Sequence, residues 1–158
     1  WAEPGREVRE KGTADEFEKA GFKVVKIKVQ PAWSTDLNLA TPTVSVAILS
    51  NPDTGLIVLP GGQMLGAAPI YLRAANIKPG QIKVIGTDVS PEIVRAIGMG
   101  YVQITSDQQP FLQGYLPILS LCQQMKYDLA PLVVDTGNGF VTRDNYERVQ
   151  GLAAQGLR

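Results

Sequence analysis

The chain has 158 residues, with 15 Lys and Arg against 15 Asp and Glu, no histidine, one cysteine, 16 glycines and 11 prolines. That length is enough for one domain with a core of its own, and formal neutrality leaves no basic footprint for nucleic acid. Without histidine there is no histidine-dependent triad, no His-ligated zinc and no imidazole acid or base. Hydrolase and metalloenzyme readings therefore start low, and neither cofactor nor metal is expected.

Residues 5–20 are charge-rich, with apolar positions at Val8, Ala14 and Phe17 and a helix stop at Gly21, which predicts an exposed amphipathic helix. From Lys23 to Val29 the pattern alternates, Val25, Ile27 and Val29 on one face and Lys26 and Lys28 on the other, as in a half-buried edge strand. Residues 37–50 carry strand-favouring Thr43, Val44, Val46 and Ile48, but the spacing between flanking strands asks for a crossover helix, and helix is the expectation. The apolar runs Gly55 to Leu59 and Ile82 to Gly86 predict strands covered on both faces. Helices are expected over 63–76 and 90–99, and a further strand over 101–105. This rhythm argues for an α/β fold with a mostly parallel sheet and helices on both faces, three layers in all.

The segment 109–126 carries no charge until Lys126 and is apolar over much of its circumference, so it predicts a helix that something must cover. Pro110, Pro117, Gly114 and four glutamines make it too short and polar for a membrane span. Cys122, in that helix without a basic neighbour, reads as a core residue rather than a nucleophile. Being the only cysteine, it has no intrachain disulfide partner. Leu132 to Val134 and Gly139 to Thr142 read as short extended segments, and residues after 150 as a frayed end. The first residue is Trp1, and no basic-then-apolar segment opens the sequence, as in a mature form or a piece of a longer chain.

In an open α/β sheet, ligands sit outside the carboxyl ends of the strands. The loops there are Gln30 to Ser34, Pro60 to Gln63, Thr87 to Pro91 and Ser106 to Pro110. They offer one aromatic face (Trp33), two carboxylates (Asp88, Asp107), amides such as Gln63 and Gln108, and small residues such as Gly62. That chemistry suits a polyol, whose hydroxyls donate and accept and whose C–H face stacks on an aromatic ring. Each residue also has a plain alternative: Asp88 as a strand-end residue or cap for the helix near Ser90, Trp33 as packing, Gln108 as a helix-start residue. The turn Pro60-Gly61-Gly62-Gln63 matches neither the dinucleotide nor the phosphate-loop pattern. Asp88 lacks the neighbouring acidic cluster of a phosphoacceptor domain.

Ile85-Gly86-Thr87-Asp88-Val89-Ser90-Pro91-Glu92, Gly100-Tyr101 leading into Ile104 to Tyr115, and Asp135-Thr136-Gly137 with Val141 to Asn145 closely resemble the second half of type I periplasmic sugar-binding proteins, the ribose-binding-like receptors of ABC importers. Arg9-Glu10-Lys11-Gly12 through Ala20-Gly21-Phe22 resembles the first helix of their C-terminal lobe, and Leu59 to Ala68 their third strand-to-helix turn. The resemblance implies a flavodoxin-like lobe, no enzymatic activity, and ligand contacts from Asp88 and Gln108. It adds a basic contact from Arg9 or Lys11 and an aromatic near Trp33. Gly62 and Gln63 stand where the family has a polar contact, and the glycines put a side-chain contact there in question. It also implies a periplasmic or extracellular location and an ABC permease as partner.

Family members are about twice this length, so the resemblance covers their C-terminal portion. It divides the chain into a lobe core (1–108), a crossover helix that packs on an N-terminal lobe (109–131) and a hinge or return segment with tail (132–158). The crossover helix is expected to be covered by a separate N-lobe chain or by a swapped second copy. The rivals are the effector domain of a LacI-type transcriptional regulator or other sensory receptor, although no DNA-binding headpiece is present, and a Rossmann-type enzyme, for which the fingerprint is lacking.

Overall fold

The computed structural model describes residues 7–158. Helix α1 runs Glu7–Lys19, and residues 5 and 6 of the predicted helix lie outside the described residues. After it come α2 (Thr41–Leu49), β1 (Leu56–Leu59), α3 (Gly62–Gly66), α4 (Ala68–Ala74), β2 (Lys83–Thr87), α5 (Pro91–Gly98), β3 (Ile104–Asp107), α6 (Pro110–Tyr127), β4 (Gly139–Thr142) and α7 (Tyr146–Ala154). The sheet has the order β1-β2-β3-β4; the first three strands are parallel and β4 is antiparallel to β3. The chain is thus α/β with a mostly parallel sheet.

The core lies where the apolar runs meet. Val84 of β2, Leu65 of α3, Tyr71 and Leu72 of α4, Ile93, Val94 and Ile97 of α5 and Val141 of β4 share one buried cluster. Gly86 permits the closest approach: a Cβ there would run into the Leu59 carbonyl oxygen and lie 2.8 Å from Leu65 Cδ2. Tyr71 is buried to its ring, and its hydroxyl donates to the Leu37 carbonyl at 3.3 Å. Burial pushes that phenol up to about 12.

Several expectations are corrected. The alternating run 23–29 is not among the four strands of the described residues: Ile27 and Val29 pack partly against the core, Val25 stays exposed, and Lys26 reaches back to Glu18 of α1 at 2.8 Å. Alternation selects which side chains turn inward and does not by itself make a strand. The single helix over 63–76 is two, parted at Ala67, because Pro69 has no N–H to carry the ladder across. The strand expected at 101–105 starts at Ile104. Gly100, at φ 79°, ends α5, and the Tyr101 N–H donates to the Ala96 carbonyl, so Tyr101 and Val102 plug the core before the ladder begins. The tail does not fray at 150: Val149 and Ala153 are buried along α7, which packs on α5.

Leu132, Val133 and Val134 form no regular element and are exposed, Val133 to 99%. The ambiguous 37–50 segment is helical, as α2 preceded by a 3-10 turn at Leu37–Ala40. Helix α6 forms as expected but buries none of its residues, and Cys122 is exposed on it rather than in a core. The segment 131–136 runs beside it, the Leu132 N–H donating to Ser120 Oγ at 3.1 Å and Gln113 Nε2 to Thr136 Oγ1 at 3.1 Å, yet the described residues bury no part of the helix fully.

Candidate functional site

The loop after β2 places Asp88 at φ 82°, in the left-handed region that aspartate enters more readily than most residues but still at a cost. Its backbone is fastened to β3 on both sides. The Asp88 N–H donates to the Ser106 carbonyl at 2.8 Å, and the Thr105 hydroxyl donates to the Asp88 carbonyl at 2.6 Å. The carboxylate accepts from the Gly62 N–H through Oδ2 at 3.1 Å and from Gln108 Nε2 through Oδ1. Gly62 must be glycine here, because a Cβ would lie 2.7 Å from Asp88 Oδ2 and 2.9 Å from Asp88 Cβ. Arg9, reaching from α1, donates to the Pro60 carbonyl at 3.2 Å and to Gln108 Oε1 at 3.4 Å.

Four residues anticipated from the sequence thus converge at the carboxyl ends of β1, β2 and β3: Arg9, Gly62, Asp88 and Gln108. Each is bonded to another, so the cluster is held before anything binds. A guanidinium, a carboxylate and an amide side by side can take a vicinal diol through paired donor and acceptor bonds.

The other anticipated residues lie elsewhere. Lys11, the alternative to Arg9, is exposed and bonded to Asp15 at 2.6 Å, and that hydrogen bond raises its pKa. Trp33 is 4% exposed within the core cluster, so the stacking role is corrected to packing: no ring face is free. Asp107, at 1% exposure, turns away from Asp88 to pair with Arg158 and to accept the Gln109 N–H at 3.0 Å. Its role is therefore to hold the turn after β3, where Gln109 sits at φ 53°. Gln63 is exposed on the first turn of α3.

Thr105 and Arg158 escaped sequence reading. A hydroxyl at an inward position of a short strand was the available sign for Thr105; for the terminal Arg158 there was none.

The model of the periplasmic binding protein domain matches residues 4–128. The chain belongs to that family. Among curated relatives it is 36% identical over 105 residues to the xylose/arabinose-binding protein of Sulfolobus acidocaldarius, an alignment covering 62% of this chain and 26% of the relative. Among solved structures, an ABC transporter solute-binding protein from Burkholderia graminis, in complex with D-arabinose, is 25% identical. It has a TM-score of 0.67, over 86% of this chain and 46% of that one. A solute-binding protein from Agrobacterium vitis, bound with α-D-tagatopyranose, shares the fold at a TM-score of 0.72 and 21% identity, over 98% of this chain and 51% of that one.

The chain therefore spans about a quarter of the curated relative (26%) and about half of each of these two solved chains. This periplasmic binding protein domain falls in a family of binding proteins, not enzymes. No described helix is long and apolar enough to cross a membrane.

Proposed function

We propose that this chain supplies one jaw of the solute-binding component of a sugar ABC importer, taking a monosaccharide or polyol between two lobes without chemistry on it. The observation that carries the reading is the bonded cluster of Arg9, Gln108, Asp88 and Gly62 at the strand ends. The relatives named for xylose, arabinose and D-arabinose point to a pentose as the first ligand to try. Lobe closure over the sugar excludes water and strengthens each hydrogen bond, and the closed form is what a permease meets.

The second lobe, on a separate chain or segment, packs on α6 and gives its exposed Phe111, Tyr115, Ile118 and Leu121 their cover. The receptor works in the periplasm or outside the cell, and the chain is not an enzyme. With one jaw alone, binding is weak.

Weak binding is read by amide chemical shifts in a titration with D-arabinose, D-xylose, L-arabinose and myo-inositol up to tens of millimolar. The expected result is shifts clustered at Gly62, Asp88 and Gln108, with a side-chain response at Arg9. A folded protein in which no sugar moves these resonances overturns the proposal.

A further inference from the structure

We infer that Thr105 is a positioning residue for the site: its hydroxyl, fixed inside the sheet, sets the direction in which Asp88 presents its carboxylate. The consequence for sugar rests on the function proposed above, while the geometry stands apart from it.

Thr105 is fully buried, 0% exposed, in the middle of β3, between Gly86 of β2 and Val141 of β4. A buried hydroxyl needs a partner, and this one donates to the carbonyl of Asp88 at 2.6 Å. The carbonyl belongs to the residue whose φ of 82° departs from the preceding strand. With the Asp88 N–H already held by Ser106, the Thr105 bond fixes the second end of the same residue.

A residue pinned at both backbone ends in the left-handed region has one direction for its Cβ. That direction delivers Oδ2 to the Gly62 N–H and Oδ1 to Gln108. Released from Thr105, the residue is free to relax towards negative φ, which turns the carboxylate off Gly62. Strand propensity alone does not choose Thr here. Valine has the same shape and suits a buried strand as well, so the hydroxyl is what distinguishes the two.

The test uses the whole chain in solution. In the wild type, the Thr105 hydroxyl proton should exchange slowly enough to give its own NMR resonance, and the Gly62 amide proton should lie downfield through its bond to the carboxylate. Thr105→Val should move the Gly62 amide proton upfield and raise the D-arabinose concentration at half-saturation roughly tenfold, the worth of one hydrogen bond. Thr105→Ser should restore both.

No slow hydroxyl proton in the wild type overturns the inference. So does a Thr105→Val protein that melts lower while the Gly62 resonance stays put, since that is a merely structural residue. Should the valine variant not fold, the wild-type hydroxyl resonance decides. If the wild type takes up no sugar but Gly62 still moves in the valine variant, the positioning stands and the sugar reading falls. If sugar binds equally to both with Gly62 unmoved, the sugar reading stands and the positioning falls.

Discussion

The strand-end cluster ends at Gln108, two residues before helix α6 begins, and the two regions have opposite fates. Around Asp88 the chain closes on itself, with both carboxylate oxygens, the amide and the carbonyl partnered by residues 26 or fewer positions away. Along α6 the same chain runs for 18 residues without burying one of them. Three apolar residues after it, Leu132, Val133 and Val134, are also left exposed. The difference separates what one lobe can complete from what it can only offer. A polar site can be satisfied by short-range bonds at strand ends, whereas an apolar helix face needs area from another body.

The sharpest way to break the closed region is at its tightest contact. Gly86→Val should cost roughly 3 kcal/mol or more, because the new side chain meets the Leu59 carbonyl and Leu65 with no room to move either strand. Urea unfolding measures it, and a loss below about 1 kcal/mol would mean that β1 and β2 are not packed as described.

A second handle on the same core is pH. Tyr71 has its pKa raised to about 12 against an ordinary 10, so the folded protein holds the proton where the unfolded chain releases it. Stability from this group is fully present below pH 10 and is lost as pH rises from 10 towards 12, by roughly 2–3 kcal/mol. Tyr71→Phe removes the slope. It costs about 1 kcal/mol near neutrality through the lost hydroxyl bond, yet it should unfold less steeply with pH above 10. Lysines titrate in both proteins, so the difference between the two curves isolates the phenol. Parallel curves would place Tyr71 in contact with water.

Gly62→Ala acts at the edge of the site. Its Cβ would lie 2.7 Å from Asp88 Oδ2 and 2.9 Å from Asp88 Cβ, so the carboxylate must swing away. We expect a stability loss of about 1 kcal/mol and loss of the sugar-induced shifts at Gln108. Unchanged shifts would show that the carboxylate does not depend on the glycine.

Sequence reading was strong where residue type and spacing both constrain the chain. The Gly-Thr-Asp-Val-Ser-Pro stretch carries a strand end, an aspartate able to take positive φ and a helix cap in six residues. The cap that the sequence offered to Asp88 falls to Ser90, whose side chain accepts the Ile93 N–H. The apolar runs of β1 and β2 and the uncovered character of α6 were legible for the same reason.

Reading failed where the outcome depends on distant partners. Trp33 could stack or pack, and only its enclosure in the core cluster decides in favour of packing. Arg9 and Lys11 sit on the same helix, and the choice between them falls to the position of Pro60 and Gln108, 51 and 99 residues away. The run 23–29 had the alternation of a strand, but whether such a run joins the sheet is set by the rest of the fold, which no local pattern encodes.

The smallest expected effect bears most directly on the open region. Met125 is 87% exposed on α6, and Leu121 lies a turn before it on the same exposed helix. If the segment 131–136 beside α6 leaves the helix's apolar residues uncovered, Met125→Glu and Leu121→Lys should each change the urea midpoint of the isolated protein by less than about 0.5 kcal/mol, as at an ordinary surface position. Their effect should appear in association: less self-association on concentration, and no docking of a second lobe supplied in trans. A Leu121→Lys protein destabilised by several kcal/mol would mean that α6 finds cover within its own chain in solution. The contrast between a completed site and an open helix would then collapse.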